Sequence, residues 1–221
     1  MDLLIDPKVL PHHVTYAMLA ALLLIAVSFI VKGAMKLVPG GAQNFIEVVG
    51  EAMFKLGEEN MGRKWAERAF SLLGTLFMYI LVCNFMGLIP GFSSPTANIN
   101  MTASMAIPVF FITHIYGFSA HGIGYLKHFI GPVRSILALP LMALMFCIEF
   151  IGHLVRPLTL SVRLFGNMMA KHILLGVLAV LTPWVVPTAI LMLGTLVGLI
   201  QAFVFTLLAT LYLAGAVEEA H

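Results

Sequence analysis

The sequence predicts an all-α integral membrane protein of about five to six membrane helices, and three observations carry that prediction. Of its 221 residues 61% are hydrophobic and only 10% charged, whereas water-soluble domains carry about 25% charged residues. Stretches free of Asp, Glu, Lys and Arg recur along the chain, several of them long enough to cross a hydrocarbon core about 30 Å thick. Proline, glycine and serine gather between those stretches, where turns are needed. Too little polar sequence remains to build a soluble domain, so residues 1–221 read as a single polytopic membrane domain.

The first helix is expected over residues 12–32, because residues 14–31 carry no formal charge. The preceding "MDLLIDPKVLPHH" lacks both a basic cluster and a small-residue cleavage site, so this apolar run is expected to stay in the protein. Residues 33–68 change character. Lys36, Lys55, Arg63, Lys64 and Arg68 alternate there with glutamates and with Phe45, Ile46, Val48, Val49, Met53, Phe54 and Leu56. This mixture fits an interfacial amphipathic segment on the cytoplasmic side. Residues 69–118 form a helical hairpin, 69–89 and 101–118, divided by the turn-rich "MGLIPGFSSPTANIN", with Asn100 a candidate N-cap. A second polar break, "SAHGIGYLKHFIGPVR", covers 119–134.

Two long helices follow, 135–181 and 187–215, with "TPWVVP" as the turn between them. Pro140 and Pro157 lie inside the first, so spacing alone allows it to cross once as a kinked helix or twice. The basic residues of 32–68 and the pair Lys127 and Arg134 lie two spans apart. The positive-inside rule makes that side cytoplasmic and puts the N-terminus outside.

Several chemistries are disfavoured. A net charge of +2 without a basic strip gives no reason to expect a nucleic-acid partner. Cys83 and Cys147 lack CxxC spacing and read as packing residues. No P-loop, HExxH or GxSxG occurs, and no cofactor is expected. His114, His121 and His128 recur every seven residues, but Gly117, Gly122 and Gly124 interrupt a continuous helix and no carboxylate or cysteine joins them. No metal site is expected there.

The informative residues are the polar ones inside the last apolar half: Glu149, Arg156, Arg163, Asn167, Lys171, His172 and Gln201. A charged side chain at the centre of a membrane helix costs about 2.5–3.5 kcal/mol on insertion scales, which makes each a functional hypothesis. Arg163 could instead snorkel to an interface if its helix began near Leu158; Lys171 lies deeper. Arg163 and Asn167 form an i, i+4 pair on one face, and His172 projects from the opposite one. Glu149, Arg156 and Arg163, seven apart, would stack along one stripe unless Pro157 kinks the helix. Arginine, with a pKa above 12, cannot relay protons but can act as a fixed positive field. Histidine and a buried glutamate can exchange them, so His172 and Glu149 are the candidate carriers. "GTLVG", from Gly194 to Gly198, marks close helix packing, and Gln201 shares a face with Gly194.

At "LTLSVRLFGNMMAKH" followed by "LIQAFVFTLLATLYL" the chain strongly resembles subunit a of rotary F-type ATP synthases, the membrane stator beside the c ring. "NFMGLIPG", "PTANINMTASMA" and "EFIGHLVRPLTLSVRLFGN" agree with it, and the likeness runs from about residue 12 to the end. The resemblance implies that Arg163 is the arginine facing the rotor carboxylate and separating two aqueous half-channels. It implies that Asn167 lies one turn on, that Gln201 lies near the arginine, and that Glu149 belongs to the cytoplasmic half-channel. His172 stands where relatives carry Glu or His, and Gly194 where many carry His or Glu. Lys171 replaces a small residue and is expected to tune the pathway. Also implied are two long, strongly tilted C-terminal helices lying against the ring and one crossing for 135–181. The C-terminus would then be cytoplasmic, in a multi-pass protein of a bacterial plasma membrane. The implied partners are the c-subunit ring, the subunit b peripheral stalk and the other synthase subunits, with protons as the expected coupling ion. The alternatives are a polytopic secondary transporter, for which an intramembrane Arg and Asn would suit an anion, and a purely structural membrane anchor.

Overall fold

The structure, a computed structural model, describes residues 11–33, 40–89, 92, 94–125, 139–181 and 185–218. Lys36, Lys127, His128, Arg134 and Pro183 lie outside the described residues. Within them the chain is helical throughout, without strands: α1 (His12–Gly33), α2 (Gly41–Met61), α3 (Arg63–Met86), α4 (Ile99–His121), α5 (Leu139–Leu181) and α6 (Val185–Val217). Single 3-10 turns occur at Pro95–Ala97 and Gly122–Gly124. Every one of these helices except α2 holds a stretch long and apolar enough to cross a membrane.

Helix boundaries differ from the sequence reading for local reasons. The third helix starts at Arg63, not residue 69, because the break is made by Gly62 at φ 75°, a conformation that suits glycine. Arg, Lys and Glu are good helix formers, so the charged 63–68 stretch simply extends the apolar helix. Asn98, not Asn100, caps α4: its side chain accepts a hydrogen bond from the Asn100 backbone N–H at 2.9 Å. The Pro95 turn moves the cap two residues back. α4 also runs through Gly117 and stops at Gly122, φ 57°. Gly117 serves packing rather than termination, since a Cβ there would lie 2.4 Å from the Tyr125 ring.

α5 is one continuous helix of 43 residues with Pro157 inside it, so the crossing is single. At 1.5 Å per residue it is about 65 Å long, about twice the hydrocarbon thickness. Such a helix must tilt, bend or emerge from the bilayer.

The core forms where α3, α4 and α5 meet α6, while α2 packs along α3 and α6. Leu73, Ile80 and Cys83 of α3, Val109 of α4, Leu160 and Leu164 of α5, and Ala202, Phe205, Ala209 and Leu213 of α6 are buried together. Small residues on α6 let neighbouring backbones approach, which matters because lipid tails supply no hydrophobic force between helices. Thr206 and Thr210 sit in this core without a polar cost, each hydroxyl donating to the carbonyl four residues back. Cys147, by contrast, is exposed on α5 instead of packed. α1 is peripheral. Only Ala17 and Ala20 are buried, and Leu22, Phe29 and Ile30 face outward as lipid-facing residues would.

Candidate functional site

Arg163 stands on the outward face of α5, in a surface whose other members are of two kinds. Leu158, Val162 and Met169 are exposed large hydrophobics. Thr159, Gly166 and Ala170 are exposed small residues that would let a further helix come close to the guanidinium. The opposite side of the same turns, Leu160, Leu164 and Met168, is buried. Thr159 spends its hydroxyl on its own helix, on the carbonyls of Val155 and Arg156 at 3.0 Å each. Among the described residues no carboxylate lies within ion-pair distance of Arg163. An unneutralised arginine, fixed near the middle of a long apolar helix and turned away from its own bundle, calls for a countercharge on another molecule.

One turn toward the α5 C-terminus, Asn167 donates its Nδ2 to Gln201 Oε1 at 2.6 Å, tying α5 to α6. Gln201 pairs with Asn167, not with the guanidinium. Beyond it, Lys171 is buried at 9% exposure with its stem laid across Gly194. A Cβ on Gly194 would meet Lys171 Cδ at 2.9 Å and Leu88 Cδ2 at 3.2 Å. The missing side chain at 194 is thus the room that Lys171 occupies. Lys171 Nζ, His172 Nε2 and Gln201 Nε2 are all buried without a hydrogen-bond partner among the described residues. A buried polar atom left unpaired costs about 1–3 kcal/mol, so these three atoms call for water or another partner.

Beside Gly198, Asn84 of α3 is fully buried in a hydrogen-bonded network. It donates to the Gly198 carbonyl at 3.0 Å and accepts from Thr96 at 2.8 Å. Thr96 meets Ser94 at 2.7 Å, and Ser94 donates to the Cys83 carbonyl at 3.0 Å. The GTLVG glycines therefore do mark close packing: Gly198 lies against Asn84 and Phe85.

The other polar cluster lies toward the α5 N-terminus. Glu149 Oε1 is 3.3 Å from Nε2 of His153, which is buried. His114, reaching over from α4, stacks edge-on to His153 at 5.2 Å between ring centroids. The His114 Nδ1 donates to the Phe110 carbonyl at 3.0 Å, which fixes its tautomer. Arg156 covers the Tyr212 ring at 5.5 Å. His114, His153, Arg156, Pro157 and Tyr212 line a small cavity with room for about one water molecule. Among the described residues no group of three side chains is placed to hold a metal ion.

Sequence reasoning singled out Glu149 but missed His153, and it took His114 only as part of a metal-like spacing. The signal for His153 was available in principle: it follows Glu149 by one helical turn in "EFIGH". Along α5, Arg163 is fourteen residues from Glu149 and nine from His172, which corresponds to about 21 Å and about 14 Å of helix. Two polar clusters therefore flank the arginine at opposite ends, and neither reaches it.

Known proteins repeat this chain nearly end to end. Residues 14–214 match the family described as ATP synthase A chain. ATP synthase subunit a 1 of Syntrophotalea carbinolica is 48% identical over 95% of this chain and 87% of its own length. ATP synthase subunit a of Geobacter sulfurreducens is 49% identical over 94% and 88%. That of Desulfotalea psychrophila is 44% identical over 97% and 88%.

Proposed function

Because the chain belongs to the ATP synthase A chain family, we propose that its two polar clusters are the two half-channels of an ion-translocating stator subunit, with Arg163 the barrier between them. The observation that carries this reading is the outward, unpaired Arg163 flanked by small residues on α5. The family membership gives no support to a secondary transporter.

Protons enter from the outside along the crevice lined by Lys171, His172, Gly194 and Gln201. They neutralise a carboxylate on the c-subunit ring, which allows that carboxylate to pass through lipid as the ring turns. The carboxyl group then reaches the inner crevice near Glu149 and releases its proton to the cytoplasmic side. Arg163, permanently protonated, favours the ionised carboxylate and disfavours its reprotonation on the way past. The same charge repels a proton attempting the direct route between the crevices. Asn167 and Gln201 hold the α5–α6 contact beside it. Each proton crossing yields about 2.3 kcal/mol per 100 mV, so several must be combined for each ATP made elsewhere in the complex. This subunit supplies the pathway and is not the catalytic one.

Five candidate spans among the described residues support a reading in which the two ends of the chain lie on opposite sides of the membrane. With the basic 41–68 region inside, the N-terminus is outside and the C-terminus cytoplasmic. Trp65, flanked by Lys64 and Arg68 and packed against Tyr116, supports an interfacial position for this end of α3. The exposed surface of α2 is the reasonable contact for the subunit b stalk. In vesicles carrying the purified complex, ATP-driven acidification should proceed without sodium, and Arg163→Ala should abolish it. Full pumping by that variant would overturn the assignment.

A further inference from the structure

The proposed inner pathway reaches Glu149, and further polar groups lie beyond it. Glu149 is partly exposed at 37%, and the His153 it touches is buried, with His114 beyond it on another helix. The order is carboxylate, imidazole, imidazole, running from the α5 surface into the junction of α4, α5 and α6. Resting on the half-channel reading above, we propose that His153 and His114 form a proton-exchange station with Glu149, so that the inner half-channel includes α4 and is not confined to the α5–α6 pair.

The chemistry needs no added reagent. A rotor carboxylic acid loses its proton to the Glu149 carboxylate, forming an O–H bond there. That O–H breaks as His153 Nε2 gains the proton, and the N–H on Nδ1 breaks as a proton leaves to water or to His114. His114 can take part only through Nε2, because its Nδ1 is held by the Phe110 carbonyl. Each transfer leaves one proton moved and no atom unaccounted for. In the ATP-driven direction the same steps run backwards and collect protons from the cytoplasmic side.

The charged and titratable surroundings come from every packed element. Glu149 and Arg156 face the pair from α5, His114 from α4, Tyr125 from the turn after α4, and Tyr212 from α6. Arg156 lines the same cavity and is drawn over Tyr212, without an ion pair to Glu149 among the described residues.

The test is ATP-driven pumping by the assembled complex in inverted vesicles, with the pH outside the vesicles varied from 6 to 8, the interval in which imidazoles titrate. The variants are His153→Gln, His114→Gln and Arg163→Ala. The expected result is a deficit in both histidine variants that grows with pH, from under about twofold at pH 6 to about five- to tenfold at pH 8, where protons are scarce. His114, which is only partly buried, keeps the test sound if His153→Gln fails to assemble. Histidine variants that pump at the parent rate at every pH, or lose the same factor at every pH as a packing defect would, overturn the proposal. Failure of the half-channel reading itself is separately visible, as pumping that survives Arg163→Ala.

Discussion

Lys171 and Gly194 fit each other, and a small perturbation of either should be felt by the other. In Gly194→Ala the new methyl would stand 2.9 Å from Lys171 Cδ and 3.2 Å from Leu88 Cδ2. Carbon atoms settle at about 3.5–4.0 Å, so the lysine stem must retreat by about 0.6 Å or more and the leucine methyl by a few tenths. Overpacking costs about 1–3 kcal/mol. Both obstructing atoms belong to flexible side chains and not to backbone, so the low end applies, about 1 kcal/mol. Lys171→Ala removes the closer obstacle altogether and leaves only the leucine to adjust. The double variant should therefore be more stable than the sum of the single losses, with a coupling of about 0.5–1 kcal/mol. The assay is a double-mutant cycle on the detergent-solubilised chain, with the four denaturation midpoints measured under one set of conditions. Additivity to within about 0.3 kcal/mol would refute the claim that Gly194 is small because Lys171 fills its space.

Three further outcomes are expected. Gln201→Leu removes a buried Nε2 without a partner among the described residues but also the bond from Asn167 that joins α5 to α6, so the two effects offset and stability should change by less than about 1 kcal/mol while proton pumping falls; pumping at the parent rate would contradict a pathway role. Gly117→Ala pushes a methyl into the Tyr125 ring and should lower the unfolding free energy by about 1–3 kcal/mol, with Gly117→Ala costing much less in a Tyr125→Ala background. Asn84→Ala breaks the bonds to Gly198 and Thr96. Interhelical hydrogen bonds in membranes average about 0.6 kcal/mol each, and the cavity left by the fully buried side chain raises the expected loss to about 2 kcal/mol. A loss below 0.5 kcal/mol would show that the network is loosely held.

Much of this molecule is readable from its residues because a bilayer punishes polar side chains. Arg163, Asn167, Lys171 and Gln201 stand out in apolar sequence, and helical spacing was enough to put Arg163 and Asn167 on one face. What escaped reading was contact between helices. His153 and His114 are unremarkable in their own segments, and only the packing of α4 on α5 brings their rings together. Gly194 looked like a lost ionisable residue until Lys171 was found in the space. The helix ends at Arg63 and Asn98 were missed for a different reason: charge stops at residue 68 and polar residues crowd 93–100, yet backbone conformation at Gly62 and Pro95 sets the boundaries. Pro157 invited a break that the long α5 did not make.

The central claim is that a permanent cation at position 163 is turned toward a moving carboxylate and keeps two wet crevices apart. An experimental density map of the complete rotary assembly containing this chain would test it most directly. The account predicts the Arg163 guanidinium within about 6 Å of a ring carboxylate, the range over which one charge holds another ionised, with water reaching it from each side and no continuous column past it. A guanidinium turned to a lipid headgroup, or a single unbroken file of water through α5 and α6, would contradict the account.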